Sequence, residues 1–110
     1  MARAATTTDA FNAVAEPRRR QIVDLLAGGE RPVGDLVREL GLGQPQVSKH
    51  LRVLREVGAV EVRGAGRQRL YSLNGPALKP IHDWVKTYER TWSERFDLLD
   101  DVLDELKETE

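Results

Sequence analysis

ELGLGQPQVSKHLRVLREVGAV, residues 39–60, is the stretch on which the fold turns. Val47, Leu51 and Leu54 recur at i, i+4 and i+7, the spacing of one apolar stripe on a helix. Gln46, Ser48, Lys49, Arg52 and Arg55 lie between them and are all polar or cationic. Upstream, Val33, Leu36, Val37 and Leu40 define another short helix that begins at Pro32. Only Gly41-Leu42-Gly43 separates the two, with Gly41 suited to a left-handed C-terminal cap. Gly43 is an acceptable N-cap for the second helix, and Pro45 fits its first turn. Two short helices joined by a Gly-containing turn of this length form a helix-turn-helix.

Beyond Gly58, AVEVR and RLYSL flank GAGRQ, which predicts a β-hairpin around a Gly-rich centre. Its loop and flanks carry Arg63, Arg67 and Arg69. A helix-turn-helix followed directly by a basic hairpin is a winged helix. Toward the N-terminus, a helix over 9–15 presents Phe11, Val14 and Ala15 and stops before Pro17. Pro17 opens a helix with Ile22, Leu25 and Leu26 inward that ends at Gly28-Gly29.

The remainder, 77–107, reads as one long helix. Leu78, Ile81, Val85, Tyr88, Trp92, Phe96, Leu99, Leu103 and Leu106 recur at steps of three and four, close to a heptad seam. At ~1.5 Å per residue such a rod is roughly 46 Å long, more than a small monomer covers. The first eight of these residues are therefore expected to form a dimer interface with a second copy related by two-fold symmetry. The alternative is a helix folded back onto its own monomer. The expected fold is mainly α with a small β-hairpin: one domain over 1–110, with a winged helix-turn-helix over 8–75 and a long C-terminal dimerisation helix over 76–108.

Composition narrows the function. The 110 residues contain no cysteine, which removes disulfides and thiolate metal sites. No apolar run is long enough to span a bilayer and the first residues lack an apolar signal region, so a cytoplasmic protein is expected. The net charge of −1 is unevenly spread. Residues 1–73 hold 12 Lys/Arg against 8 Asp/Glu, while 74–110 hold 5 against 10. A basic part beside an acidic one fits a chain of which one end meets a polyanion. Catalysis is not expected: Ser48 and His50 are two apart on a helix and do not face each other, and no Walker-type phosphate loop is present.

FNAVAEPRRRQIVDLL, PVGDLVRELGLGQPQVSKHLRVLREVGAVEVR and the wing GRQRLYSL resemble the ArsR-type winged-helix transcriptional repressors over roughly residues 8–75. HDWVKTYERTWSERFDLLDDVLDEL is similar to the C-terminal helices of a metal-free branch of that family. The resemblance implies a homodimer that binds a palindromic operator on double-stranded DNA and represses transcription, often of its own gene. It also implies release by a signal, so a small-molecule effector is open. Metal sensing is not carried over, since PVGDLV stands where sensors place cysteines and His82-Asp83 has no second histidine after it. No cofactor is expected.

On this reading the polar side of the 44–57 helix enters the major groove, which is about 12 Å wide and admits one helix. Gln46 pairs with adenine, Ser48 serves either base class, and Gln44 contacts bases or phosphate. Lys49 and Arg52 neutralise phosphates. His50 either touches the DNA backbone or packs inward, and Arg55 pairs with Glu56 or the wing. Arg67 leads the wing's contact, with Gln68 and Arg69 in support. Arg18, Arg19 and Arg20 oppose the dipole at their helix start, and Glu16, Asp24 or a phosphate is expected to compensate them. Trp84, Tyr88 and Trp92 are dimer core or the lining of a ligand pocket. The competing reading is a winged-helix protein-interaction module that docks through the C-terminal aromatic helix.

Overall fold

Nearly every element of the first 80 residues is fixed by a cap or a breaker. The computed structural model describes residues 9–108. Its elements are α1 (Ala10–Ala13), α2 (Pro17–Ala27), β1 (Arg31–Pro32), α3 (Val33–Leu40), α4 (Gln44–Glu56), β2 (Val60–Ala65) and β3 (Gln68–Leu73). A 3₁₀ turn (Gly75–Leu78), α5 (Lys79–Lys86) and α6 (Glu89–Glu108) complete the chain. Two compact units divide it, one through Pro80 and one from Ile81.

In the first unit, Asp9 caps α1 by accepting the Asn12 amide at 2.8 Å. The face expected from Phe11, Val14 and Ala15 is corrected: Ala10 and Ala13 are the buried pair, and Phe11 and Ala15 are exposed. The cause is the next helix. Arg19 donates from Nε to the Ala13 carbonyl at 2.7 Å and from Nη2 to the Asn12 carbonyl at 2.9 Å. Arg20 donates to the Val14 carbonyl at 2.6 Å. The cations that oppose the dipole of α2 thus satisfy the free carbonyls at the end of α1. Backbone carbonyls thus stand where the carboxylates of Glu16 or Asp24 were expected; Arg18 itself donates to Gln21 at 3.1 Å.

Helices α2, α3 and α4 enclose a dry core. Ile22, Leu36, Val47, Leu54 and Ala59 are fully buried, and Leu26, Leu51 and Val60 nearly so. Each aliphatic side chain removed from water contributes about 1.5–3 kcal/mol before chain entropy is subtracted. Gly41, at φ 65°, ends α3 as expected, its amide donating to the Val37 carbonyl at 3.0 Å. At the other end of α4, Gly58 (φ 78°) and Ala59 return their amides to Arg55 and Leu54, a Schellman closure that turns the chain into β2.

The expected hairpin is present but has a third strand. The sheet order is β1-β3-β2, all antiparallel, with Arg31 opposite Tyr71 and Val60 opposite Leu73. Pro32 is therefore not the first residue of a helix: it pairs at the sheet edge and then serves as the N-cap of α3. The loop GAGRQ is shorter than it reads, because pairing continues to Ala65 opposite Gln68. That leaves Gly66-Arg67 as a two-residue turn, and Gly66 supplies its positive φ of 64°.

The second unit corrects the single long helix. Between α5 and α6 the chain tightens: the Thr87 hydroxyl donates to the Trp84 carbonyl at 2.7 Å, and the Tyr88 amide bonds Val85 at 3.0 Å. A threonine hydroxyl that takes a backbone carbonyl competes with the helical ladder. Apolar spacing continues across this joint, which is why periodicity does not reveal it. Trp84 and Tyr88 meet edge to face at 5.8 Å. No residue of α5 or α6 is buried. Leu78 is partly buried and packs against the core of the first unit. Among the described residues no helix is long and apolar enough to cross a membrane.

Candidate nucleic-acid interface

Because Val47, Leu51 and Leu54 face the core, the opposite side of α4 must face outward. It divides into two rows. Gln44 and Ser48, one turn apart, line a cleft of about 610 Å³ with Arg67, Gln68 and Arg69 of the wing. The far wall of the cleft is α3, through Val33, Asp35 and Arg38. Five residues singled out from the sequence therefore converge in space, although they come from two segments separated by about a sixth of the chain.

Gln46 and Lys49 form the second row. Both are exposed and neither lines the cleft. The Gln46 carboxamide oxygen accepts the Gly43 amide at 3.3 Å, closing the N-terminus of α4 where glycine has no side chain to cap it. Arg52 continues the Gln44–Ser48 row but is drawn along the helix toward Glu56 at 3.7 Å. Glu56, weighed as one of two partners for Arg55, is thus approached by Arg52 instead. Arg52, Arg55 and Glu56 border a separate open hollow of about 670 Å³ beside the start of β2.

His50 is half-buried and turned toward the start of α2. Burial holds its imidazole below the ordinary value of 6.5, and Arg19, Arg18 and Lys49 reinforce this against the opposing effect of Glu16. Arg63 is committed as well. It grips Glu30 with both ends of its guanidinium, at 2.6 and 3.0 Å, tying β2 to the loop before β1. The cations free to face a ligand from the wing are thus Arg67 and Arg69.

Sequence reasoning missed Arg38 and Asp35, which form an ion pair on the cleft wall. A signal was available: the first helix of a helix-turn-helix crosses the DNA backbone, so a cation on its outer face is a candidate contact. Among the described residues no three histidine or carboxylate side chains gather as metal ligands. His82 contacts Asp83 at 3.4 Å, at the exposed start of α5.

The model of the bacterial regulatory proteins of the arsR family matches residues 16–62, from the cap of α2 into β2. The transcriptional repressor SdpR of Bacillus subtilis is 32% identical over 78 residues, covering 71% of this chain and 87% of that protein. The chain belongs to the ArsR family. This ArsR regulator also shares 42% identity over 72 residues with the regulator Rv2034 of Mycobacterium tuberculosis, covering 66% of this chain and 67% of its relative. A solved structure of a possible transcriptional regulator for arsenical resistance superposes with a TM-score of 0.67 at 36% identity, over 74% of this chain and 84% of the other. The family is one of DNA-binding winged-helix transcriptional regulators and not of enzymes.

Proposed function

We propose that this ArsR regulator is a homodimeric repressor in which α4 reads a palindromic operator in the major groove and the wing grips the flanking backbone. The observation that carries this reading is the single cleft shared by Gln44, Ser48, Arg67, Gln68 and Arg69. Gln44 and Ser48 face base edges, while Arg67 at the hairpin tip meets phosphate or the minor groove. Gln46 reads adenine only by releasing its cap on Gly43, which frees a backbone amide at a helix N-terminus for a phosphate oxygen. Lys49 and Arg52 neutralise phosphates, and His50 supports α4 from within. Arg38 leaves Asp35 to contact the backbone. The winged helix over 8–75 is the DNA-binding part, of which Thr8 lies outside the described residues. Residues 76–108 are the dimerisation part, through Leu78, Ile81, Val85, Tyr88, Trp92, Phe96, Leu99 and Leu103. The acidic side chains of α6 then belong to a dimer part that does not meet DNA.

Fluorescence anisotropy on the duplex upstream of the protein's own gene, beside a scrambled duplex and across a salt series, tests the reading. Tight, salt-sensitive binding that prefers the native duplex is expected of an autorepressor. Gln46→Ala with Ser48→Ala should erase discrimination at one or two base pairs per half-site, about 1–3 kcal/mol per good contact. Arg67→Ala should weaken all sequences together and flatten the salt dependence. Unchanged sequence preference in the first variant would remove α4 as the reader.

A further inference from the structure

Strand β3 passes from the core to solvent along one face. Leu73, Tyr71 and Arg69 follow one another at every second residue and share that face. Leu73 packs against the core, Arg69 is exposed, and Tyr71 stands between them, half-buried. Tyr71 also packs against the core, yet it lines the cleft between α4 and the wing. Its backbone is held on both sides, because β3 is the middle strand of the sheet. Arg31 of β1 lies opposite it on one edge and Val62 of β2 on the other. Among the described residues of the cleft, Tyr71 is the one side chain with a polar end that is anchored in the core.

The Tyr71 hydroxyl has no task inside the chain. Among the described residues it makes no hydrogen bond, and no buried side-chain oxygen there lacks a partner, so this one is open to solvent. With the body of the residue against the core, the open side for its polar end is the cleft. For the core alone phenylalanine would serve as well. A tyrosine so held is a short, stiff donor, since only two side-chain torsions place it. If α4 fills a major groove, the DNA backbone that borders the groove runs between α4 and the wing. Arg38, Arg67 and Arg69 meet it from exposed positions, and Tyr71 meets it at the floor. Tyrosine hydroxyls are among the groups that bond phosphate oxygens.

We propose that the Tyr71 hydroxyl donates a hydrogen bond to a DNA phosphate at the floor of the cleft, fixing how deeply the backbone seats between α4 and the wing. The proposal rests on the reading of the cleft as the DNA site and adds to it an uncharged contact. Arginines at the rim supply charge on long, rotamer-rich side chains, which attracts a backbone without setting its depth. A donor locked by packing supplies the fixed point that precise docking needs. A phosphate contact carries no sequence information, so this one acts on every duplex alike. Being neutral, it displaces no counterion, and its loss leaves the salt dependence as it was.

Anisotropy of Tyr71→Phe on the native and scrambled duplexes, across the same salt series, tests this. The variant should melt with the wild type, because the hydroxyl has no partner in the fold. Its affinity for both duplexes should fall about tenfold, the worth of one hydrogen bond to a charged group. The slope of log affinity against log salt should stay unchanged, whereas Arg67→Ala reduces it. On duplexes carrying one neutral methylphosphonate at a time, at least one position should weaken the wild type and leave the variant unaffected. Equal binding by the two proteins, a loss confined to the native duplex, or identical methylphosphonate scans overturns the phosphate contact and leaves DNA in the cleft. A lower melting temperature for the variant assigns the hydroxyl to the fold and overturns it as well. A wild-type chain that binds neither duplex at low salt overturns the DNA reading itself and Tyr71 with it.

Discussion

The two ends of α4 and the whole of α6 are built from similar residues and reach opposite outcomes. Each places leucines and valines at helical spacing, with charges between them. In α4 the stripe of Val47, Leu51 and Leu54 is sealed under α2, α3 and β2. In α6 the corresponding stripe is exposed along its entire length, Leu99 remaining 52% accessible. The difference lies in neighbours and not in pattern. The first unit closes its core with caps, three helices and a three-stranded sheet, so its apolar stripes are satisfied within one chain. The second is a short helix and a twenty-residue helix, none of whose residues is buried.

That contrast can be broken first at its strongest point. Leu51→Ala should lower the stability of the first unit by about 2–5 kcal/mol, read by urea denaturation, because the cavity forms among fully buried neighbours. Gly41→Ala should cost about 1–2 kcal/mol in the same experiment, since alanine there must hold a left-handed backbone. Leu99→Ala, chemically the same change as Leu51→Ala, should shift unfolding of the dilute monomer by less than about 0.5 kcal/mol and weaken self-association instead. A large loss for Leu99→Ala at high dilution would mean that α6 is buried within its own chain, and the comparison would fail.

The smallest effect is expected at His50. Its folded-state pKa is depressed, chiefly by burial. The neutral ring is thus the form that packs, and its contribution is present above the unfolded value of 6.5 and lost as pH falls through the lower folded value. His50→Gln should flatten the dependence of stability on pH below about 6.5 without changing the plateau slope above it. A slope that survives the substitution would assign it to other groups. Glu30, held below the usual carboxylate range by its hydrogen bonds with Arg63, is one that acts at lower pH.

Much of the winged helix was legible because local signals agreed. Pro17, Gly41, Gly43 and Gly58 mark the ends of α2, α3 and α4 in the text, and each serves there as expected. The misreadings share one origin. The strand β1 is two residues long and carries no alternation, so only its pairing with β3 reveals it. The joint at Thr87 interrupts hydrogen bonding and not hydrophobic spacing. Arg19 and Arg20 look like part of a basic cluster until their carbonyl partners, six and seven residues back, come into view.

What the sequence determined by itself was the order of the helix-turn-helix and its wing, the stripe that α4 buries and the residue types on its other side, since periodicity and capping act within a few residues. Only the tertiary structure decided which cations remain available. Arg63 and Arg67 are four positions apart on one hairpin, yet one is locked to Glu30 across the sheet edge and the other stands at the tip of the wing. Gln46 and Ser48 part as well, the one locally, by capping Gly43 three residues back, and the other by lining the cleft with the wing. Partners that meet across a fold are separated along the chain by lengths no local rule spans, and a charge takes its role from the nearest group that neutralises it.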